Sequence, residues 1–316
     1  MAQARQEPAR VASISAVTPW RGMFFPRIYN ACDPMAVKPT TAESHWARHA
    51  AQWADFGSPL RPVAEDSGLY WRAITASLTE SALAGARVLL LGVTPELASL
   101  PWPGNASLLA VDSSLPMLHG IWPAVKFPGA FAARLNADWL AVPLRSGACH
   151  LVIGDGSLSV FAGTSAYRRC AQELHRVLRP DGHAVLRLFC QPESPESPAQ
   201  VLADLRDGHV GNFHAFKWRL VMAIHASDER ACLADVWACW AAEFPVLEEV
   251  AALTGWPLGQ IRTLESYRDA PARYNFFSLP EVQALLSPEF ELLDAVRPAY
   301  ELGERCPIVR FRRRYP

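Results

Sequence analysis

The sequence predicts an α/β protein built around an open, doubly wound sheet of seven strands. Three observations support this fold class: five short apolar segments within residues 86–189, helical patterns among them, and two further apolar segments close to the C-terminus. Continuous apolar strands that alternate with helices are typical of parallel strands buried on both faces. The two late segments are close enough to form a hairpin, so the last strand is expected to be antiparallel.

The elements can be assigned in chain order. Residues 1–40 are rich in proline and polar residues and show no long period, so they are expected to form an N-terminal tail. From Thr41 the pattern becomes helical, and "SGLYWRAITASL" (67–78) repeats apolar residues every fourth position, with Gly85 expected to end that helix. The predicted strands that follow are "ARVLLLG" (86–92), "SLLAVD" (107–112), "AARLNAD" (132–138), "HLVIGD" (150–155) and "HAVLRLF" (183–189).

A segment of different character separates the fifth strand from the last two. "QPESPESPAQ" (191–200) has the composition of a linker, and the residues after it repeat apolar side chains at helical spacing. The predicted organisation is therefore an α/β core at 41–190, a helical insertion at 191–275 and C-terminal strands at 276–316 that complete the sheet.

Composition limits the classes of function. The chain has 316 residues, half of them apolar, and a formal net charge of −1, which gives no reason to expect nucleic acid or anionic lipid as a partner. No apolar run approaches the roughly 20 residues of a membrane helix. The seven cysteines are scattered and never spaced C-x-x-C, which favours reduced thiols in a cytoplasmic protein over disulfides or a zinc site. No metal site is predicted.

Polar residues stand at the carboxyl ends of the predicted strands, where open α/β sheets bind ligands. The first strand ends at Gly92 in "VLLLGVTPEL", the second at Asp112 and the fourth at Asp155. Asp112 lies 20 residues after Gly92, and an acid at that position can accept hydrogen bonds from both hydroxyls of a ribose. The alternative is that Asp112 caps the helix that follows, although Ser113 and Ser114 could cap it instead.

Four segments together resemble class I S-adenosylmethionine-dependent methyltransferases, which have a Rossmann-like fold. They are "VLLLGVTPEL", "AVDSSLPML", "NADWLAVPLRSGACHLVIGDGSLS" and "AQELHRVLRPDGHAVLRLF", with the closing hairpin at 289–313 in addition. No single segment is specific, but their order and spacing are. The resemblance covers roughly residues 85–190 and this hairpin.

The resemblance implies a site for S-adenosyl-L-methionine at the first two strand ends. Gly92 and the loop through Thr94 to Glu96 would face the methionine part of the cofactor. Asp112, with Ser113 beside it, would hold the ribose. The family pattern usually has further glycines in this loop; since S-adenosylmethionine has no phosphate, one glycine can suffice. Glu96 could pair with the cofactor ammonium or lie exposed.

The next strands complete the site that the resemblance implies. Met117 would pack on the adenine, and Asp138 would bond the adenine amino group with Trp139 beside the ring. Asp155 and Gly156 would line the gap between the sulfonium and the acceptor.

The predicted function is methyl transfer to N, O or S of a small-molecule acceptor, without nucleic acid or membrane as a partner. The helical insertion would form the lid and acceptor pocket, with His214 and Tyr274 as the predicted catalytic residues. His209 and His225 are further candidate bases in the insertion, and Tyr267 and Arg273 lie close to Tyr274 in sequence.

Three alternatives remain open at this point. One is a NAD-dependent oxidoreductase of the same topology, which the missing glycines disfavour. Another is a non-catalytic regulatory protein that binds S-adenosylmethionine. The third concerns the insertion, which could be the interface of a homodimer.

Overall fold

The computed structural model describes Trp20, Gly22, Met23 and residues 41–315. The predicted tail at 1–40 therefore lies almost entirely outside the described residues. Within them, none of the helices is both long and apolar enough to cross a membrane.

A seven-stranded sheet forms the centre of the described chain. Its strands are β1 Arg87–Leu91, β2 Ser107–Asp112, β3 Phe131–Asn136, β4 Cys149–Asp155, β5 Leu178–Arg187, β6 Phe290–Val296 and β7 Ile308–Arg313. The spatial order is β3-β2-β1-β4-β5-β7-β6. The first five strands pair in parallel, and β7 runs antiparallel to both β5 and β6. The predicted fold class, including the antiparallel last strand, is confirmed.

The continuous apolar character of the central strands follows from burial on both faces. In β1, Leu89 and Leu91 pack in one hydrophobic cluster, while Val88 and Leu90 pack in another on the opposite face. Neighbouring residues of a strand point to opposite faces, so a strand covered on both sides needs apolar residues at every position. Each fully buried leucine contributes about 1.5–3 kcal/mol relative to exposure.

The helices complete the fold. They are α1 Thr41–Ala51, α2 Ala64–Ser77, α3 Glu80–Ala84, α4 Pro95–Ala98, α5 Leu115–Ile121, α6 Thr164–Val177, α7 Pro198–Arg206, α8 Phe213–Ser227, α9 Leu233–Glu243, α10 Leu247–Thr254, α11 Leu258–Arg262 and α12 Leu279–Leu286.

Two sequence expectations need correction in detail. The helix expected to run to Gly85 ends at Ser77, because Leu78 is extended and the Thr79 side chain caps a second helix, α3. The fifth strand begins earlier than residue 183. Its pairing with β4 jumps from Leu178 to His183, so the intervening "RPDG" leaves the regular ladder.

In chain order, helices α7–α11 come between β5 and α12. They share a hydrophobic cluster that is rich in aromatic rings. Phe213, Phe216 and Trp240 are buried at its centre, with Trp240 packed against both phenylalanines. Helix α1 packs against α5 beside the sheet and also against residues 263–267, just after α11. Helix α1 therefore lies between the segment that contains α7–α11 and the carboxyl ends of the strands, and it contributes to a site formed by both.

Candidate functional site

A cavity opens at the carboxyl ends of β1, β2 and β4, where the topology of an open sheet places ligands. One side consists of loops that follow these strands, and the other comes from α1, the segment after it, α8 and the chain near Tyr267 and Tyr274. Together with its open mouth, the empty space of the cavity amounts to about 800 Å³.

Three residues predicted to bind the cofactor meet at one point of this cavity. Gly92 has a φ of +89°, a conformation that favours glycine. A Cβ atom at this glycine would lie 3.8 Å from Cζ2 of Trp139 and 3.9 Å from Oδ2 of Asp112. The positive φ therefore favours glycine here, while both side chains lie at ordinary contact distance from the Cβ position.

Asp112 is nearly buried, with 9% of its surface exposed. Its Oδ1 accepts a hydrogen bond of 2.7 Å from the backbone N–H of Ser114. Ser114, not Asp112, is the N-cap of α5, since its hydroxyl accepts from the Met117 amide. Burial raises the pKa of Asp112 to about 6, and the Ser114 hydrogen bond opposes this shift. The capping role considered for Asp112 thus belongs to Ser114.

Trp139 and Met117 supply apolar surface beside Asp112. The Trp139 indole N–H donates to the carbonyl of Val111 at 2.5 Å, and its ring meets Phe161 edge-on with centroids 6.0 Å apart. These contacts hold the indole in one orientation. Met117 is 8% exposed and also lines the cavity.

Asp155 lines the cavity but is held by a buried ion-pair cluster. Arg187 donates to its Oδ1 at 2.5 Å and to its Oδ2 at 3.1 Å. The same guanidinium contacts Asp66 at 3.1 Å and donates to the Tyr300 hydroxyl at 2.7 Å. Burial raises the pKa of Asp155 to about 6, although Arg187 opposes the shift. Because both carboxylate oxygens are engaged, Asp155 shapes the site electrostatically and is not a free base.

Gly156 is the second glycine that the site requires. Its φ is +61°, and a Cβ atom there would lie 2.3 Å from Cε2 of Phe189, which also lines the cavity. The turn after β4 therefore accommodates the Phe189 ring only with glycine at this position.

Three further predicted cofactor residues, Glu96, Ser113 and Asp138, do not line the cavity. Oε1 of Glu96 accepts a hydrogen bond of 2.6 Å from Arg61, and its buried Oε2 has no hydrogen-bond partner among the described residues. Asp138 is exposed, and its Oδ1 accepts from the amide of Leu140 at 2.9 Å. Ser113 is exposed as well. Thr94 does line the cavity.

The two predicted catalytic residues differ in their placement. Tyr274 lines the cavity. His214 is buried outside the lining, where its Nε2–H donates to the carbonyl of Asp55 at 2.9 Å. Burial lowers the pKa of His214 to about 4. His209 is exposed, and His225 is buried against Asn275, so neither of these candidate bases lines the cavity.

Sequence reasoning missed one group of lining residues, which comes from α1 and the segment after it. Trp46, His49, Trp53 and Phe56 all line the cavity. In "HWARHAAQWADF" (45–56) they recur at spacings of three and four residues, which places them on one helical face. A helical face that combines aromatic rings with a histidine is the feature of the sequence from which these lining residues could have been predicted.

His45 fixes the hydroxyl direction of Tyr274. Its Nδ1 lies 3.2 Å from the carbonyl of Ser266, which can only accept, so Nδ1 carries the hydrogen. Burial lowers the pKa of His45 to about 4, so the ring is neutral at pH 7. Its Nε2 therefore accepts the hydrogen bond of 3.0 Å from the Tyr274 hydroxyl. The remaining lone pairs of this hydroxyl are free to accept.

Several lining residues carry buried polar atoms without a hydrogen-bond partner in the structure. They are His49 Nε2, Trp53 Nε1, Ser157 Oγ, Trp218 Nε1 and the Tyr267 hydroxyl. Buried polar groups are almost always paired in native proteins, so these atoms are expected to bind water or a ligand. None of the described residues that line the cavity is Lys or Arg, whereas Asp112 and Asp155 are carboxylates.

No protein-family model matches the sequence, and no curated protein matches it. Among solved structures, the chain is similar to a Rhodobacter sphaeroides protein provisionally described as a Zn-dependent alcohol dehydrogenase, with 16% identity, a TM-score of 0.55, and 88% and 100% of the two chains covered. Within the described residues, no group of three or more His, Cys, Asp or Glu is arranged to hold a metal ion.

Two methyltransferases are also among the similar structures. For the N-methyltransferase NodS from Bradyrhizobium japonicum WM9, in complex with S-adenosyl-L-homocysteine, the identity is 11%, the TM-score 0.46 and the coverage 86% and 100%. For a SAM-dependent methyltransferase from Aquifex aeolicus, these values are 12%, 0.45, and 87% and 99%. At such identities a likeness concerns the fold alone. The observed strand order, with β7 antiparallel to its neighbours, agrees with the Rossmann-like fold that the sequence predicts.

Proposed function

We propose that the protein binds S-adenosyl-L-methionine and transfers its methyl group to a small-molecule acceptor. The observation that carries the proposal is the meeting of Gly92, Asp112 and Trp139 at the carboxyl ends of the first two strands. The chemistry of this group can be compared with the cofactor part by part.

The nucleoside part fits Asp112 and its neighbours. Oδ1 of Asp112 is engaged by Ser114, while Oδ2 lies towards Gly92. An ionised carboxylate only accepts hydrogen bonds, so it suits the two hydroxyls of a ribose. Met117 and Trp139 would provide the apolar surface for the adenine.

The charge of the cavity fits a cation better than a pyrophosphate. A sulfonium is stabilised by nearby carboxylates and aromatic faces, and both are present in the lining. A dinucleotide would require free N–H groups at a helix start. Here α4 begins with Pro95, which has no N–H, and the described lining contains no Lys or Arg. These features disfavour the oxidoreductase alternative.

Bound S-adenosyl-L-methionine would supply an electrophilic methyl group to a nucleophilic N, O or S atom of the acceptor. The protein's contribution would be alignment of the two reactants, which can account for a large part of such catalysis. The residues from α1, α8 and the chain near Tyr267 would enclose the acceptor and exclude water.

Calorimetric titration tests the proposal. S-adenosyl-L-homocysteine should bind, and NAD should bind much more weakly. Tight NAD binding without a response to S-adenosyl-L-homocysteine would overturn the proposal. Turnover against a panel of small-molecule acceptors then separates an enzyme from a regulatory protein that only binds the cofactor.

A further inference from the structure

The side of the cavity opposite the strand loops is built almost entirely of aromatic rings. We call Trp46, Trp53, Phe56, Trp218, Tyr267 and Tyr274 the aromatic wall; all six line the cavity. Neighbouring rings support one another: Trp218 meets Tyr274 with centroids 5.7 Å apart, and Trp46 meets Tyr274 at 6.4 Å. Such a preformed aromatic surface favours a planar, apolar partner that can stack or pack edge-on.

The aromatic wall also carries unpaired hydrogen-bond donors. Among the described residues, the indole N–H groups of Trp53 and Trp218 have no hydrogen-bond partner, nor has the Tyr267 hydroxyl. An indole N–H can only donate, so its missing partner must be an acceptor atom. The planar partner is therefore expected to carry oxygen.

His49 adds a proton acceptor beside these rings. Its ring lies nearly parallel to that of Tyr267, with centroids 6.0 Å apart, and Nε2 has no hydrogen-bond partner. Burial, with smaller effects from His45, Lys217 and Arg48, lowers the pKa of His49 well below its usual value. The imidazole is thus neutral at pH 7, and with its hydrogen on Nδ1 it can accept at Nε2.

The groups of the aromatic wall favour an oxygen nucleophile over an ammonium. Burial lowers the pKa of the neighbouring Lys217 well below its usual value, as it does for His45 and His49, so burial opposes a positive charge on each of them. Both oxygens of Asp155 are engaged by Arg187. Hydrogen-bond donors stabilise negative charge that develops on an oxygen, and none of the six residues of the aromatic wall is a carboxylate that could pair with an ammonium.

We propose, on the premise of the proposed function, that the acceptor is a planar aromatic hydroxy compound and that His49 Nε2 takes its hydroxyl proton. In the balanced step, the acceptor oxygen forms a bond to the methyl carbon and the carbon–sulfur bond breaks with its electron pair left on sulfur. The hydroxyl proton goes to His49.

Calorimetry on protein saturated with S-adenosyl-L-homocysteine tests the acceptor class. The probes are 2-naphthol, its saturated analogue decahydro-2-naphthol, and the cation 2-naphthylmethylammonium. We expect 2-naphthol to bind at least tenfold more tightly than the other two. If the ammonium or the saturated alcohol binds as tightly, the assignment is overturned. If S-adenosyl-L-homocysteine itself does not bind, the proposed function fails first; if it binds and 2-naphthol does not, only this inference fails.

Variants test the individual contacts. Tyr267→Phe removes a hydroxyl that has no partner in the free protein, so folding is not at risk, and 2-naphthol should bind about two- to tenfold more weakly. The matched control is Tyr315→Phe, at a residue that is 71% exposed. His49→Phe should weaken 2-naphthol binding similarly, while His49→Gln, which keeps an acceptor, should restore part of it. Both should leave affinity for S-adenosyl-L-homocysteine unchanged. Unaltered 2-naphthol affinity in Tyr267→Phe and His49→Phe would overturn the assigned contacts.

Discussion

Burial shifts the pKa values of acids and bases on the two sides of the cavity in opposite directions. The strand-end side, formed by Gly92, Asp112, Trp139, Asp155 and Gly156, carries carboxylates whose pKa burial raises to about 6. The aromatic wall is backed by His45 and His214, whose pKa burial lowers to about 4. The same physical cause, removal from water, penalises the charged form in both places. One side thus carries carboxyl groups that burial disfavours in the ionised form, and the other carries imidazoles that burial keeps neutral at pH 7.

The two sides also differ in how the chain assembles them. Strand ends come together at one edge of a parallel sheet by topology, so the strand-end side follows from the order of the strands. The aromatic wall requires α1, α8 and the chain near Tyr267 to meet. The hydrogen bond between His45 and Tyr274, for example, joins residues 229 positions apart. Substitutions can test whether the two sides are as independent as this contrast implies.

The largest expected effect comes from Gly156→Ala on the strand-end side. The left-handed backbone and the 2.3 Å approach to Phe189 should together destabilise the fold by about 2–4 kcal/mol. Gly163→Ala is the matched control, because its φ is +79° but nothing lies within 4 Å of the added Cβ. Urea unfolding measures both. Equal losses in the two variants would show that the approach to Phe189 costs nothing.

Asp112→Ala should weaken binding of S-adenosyl-L-homocysteine by about 1.5–3 kcal/mol, the scale of hydrogen bonds to a charged group. The fold should survive, because Ser114 and not Asp112 caps α5. Asp138→Ala is the control, since that exposed carboxylate does not line the cavity and its removal should leave calorimetric affinity unchanged. A loss for Asp138 as large as that for Asp112 would mean that the adenine contact predicted from the sequence forms after all.

Most of the fold could be predicted because apolar strands buried on both faces leave a clear pattern. The same pattern places Gly92, Asp112, Trp139, Asp155 and Gly156 at one cavity, since each ends or follows a strand whose position is fixed by the sheet. Side-chain direction could not be predicted in this way. Position beside a strand end does not tell whether a carboxylate turns towards the cavity or towards a neighbouring amide or guanidinium.

The aromatic wall was largely beyond sequence reasoning. The position of Tyr274, where the chain returns to the sheet, predicts a place at the site, and this residue does line the cavity. His214 is predicted from its residue type alone, and it pairs with a backbone carbonyl instead. His49 is not predicted, because nothing in one sequence indicates that α1 folds over the strand ends. The helical periodicity of the segment at 45–56 shows which face is buried, but not against what.

The opposite pKa shifts predict opposite dependences of stability on pH. A histidine with a lowered pKa in the folded state contributes stability above about pH 6.5 that is lost as the pH falls towards 4. For His45 and His214 the loss between pH 7 and 5 is about 2 kcal/mol each. The carboxyl of Asp112 has a raised pKa, so its contribution is present below about pH 3.8 and is lost as the pH rises through about 6.

His214→Gln isolates one of these contributions, because glutamine keeps a donor for the Asp55 carbonyl without titrating. The fall in the free energy of unfolding between pH 7 and 5 should become smaller by about 2 kcal/mol. Denaturant titrations at the two pH values provide the measurement. An identical pH dependence in His214→Gln and the parent would show that burial does not keep this imidazole neutral.

The smallest expected effect distinguishes two tyrosines of the aromatic wall that differ in one hydrogen bond. The Tyr274 hydroxyl donates to His45, so Tyr274→Phe leaves a buried imidazole nitrogen unpaired and should cost about 1 kcal/mol of stability. The Tyr267 hydroxyl has no partner, so Tyr267→Phe should change stability by less than about 0.5 kcal/mol. Both rings remain, so packing is conserved, and neither variant should alter affinity for S-adenosyl-L-homocysteine. Urea unfolding and calorimetry on the pair decide the matter. If Tyr267→Phe is the more destabilised variant, its hydroxyl has a partner within the protein, and the unpaired donor on which the acceptor assignment partly rests does not exist.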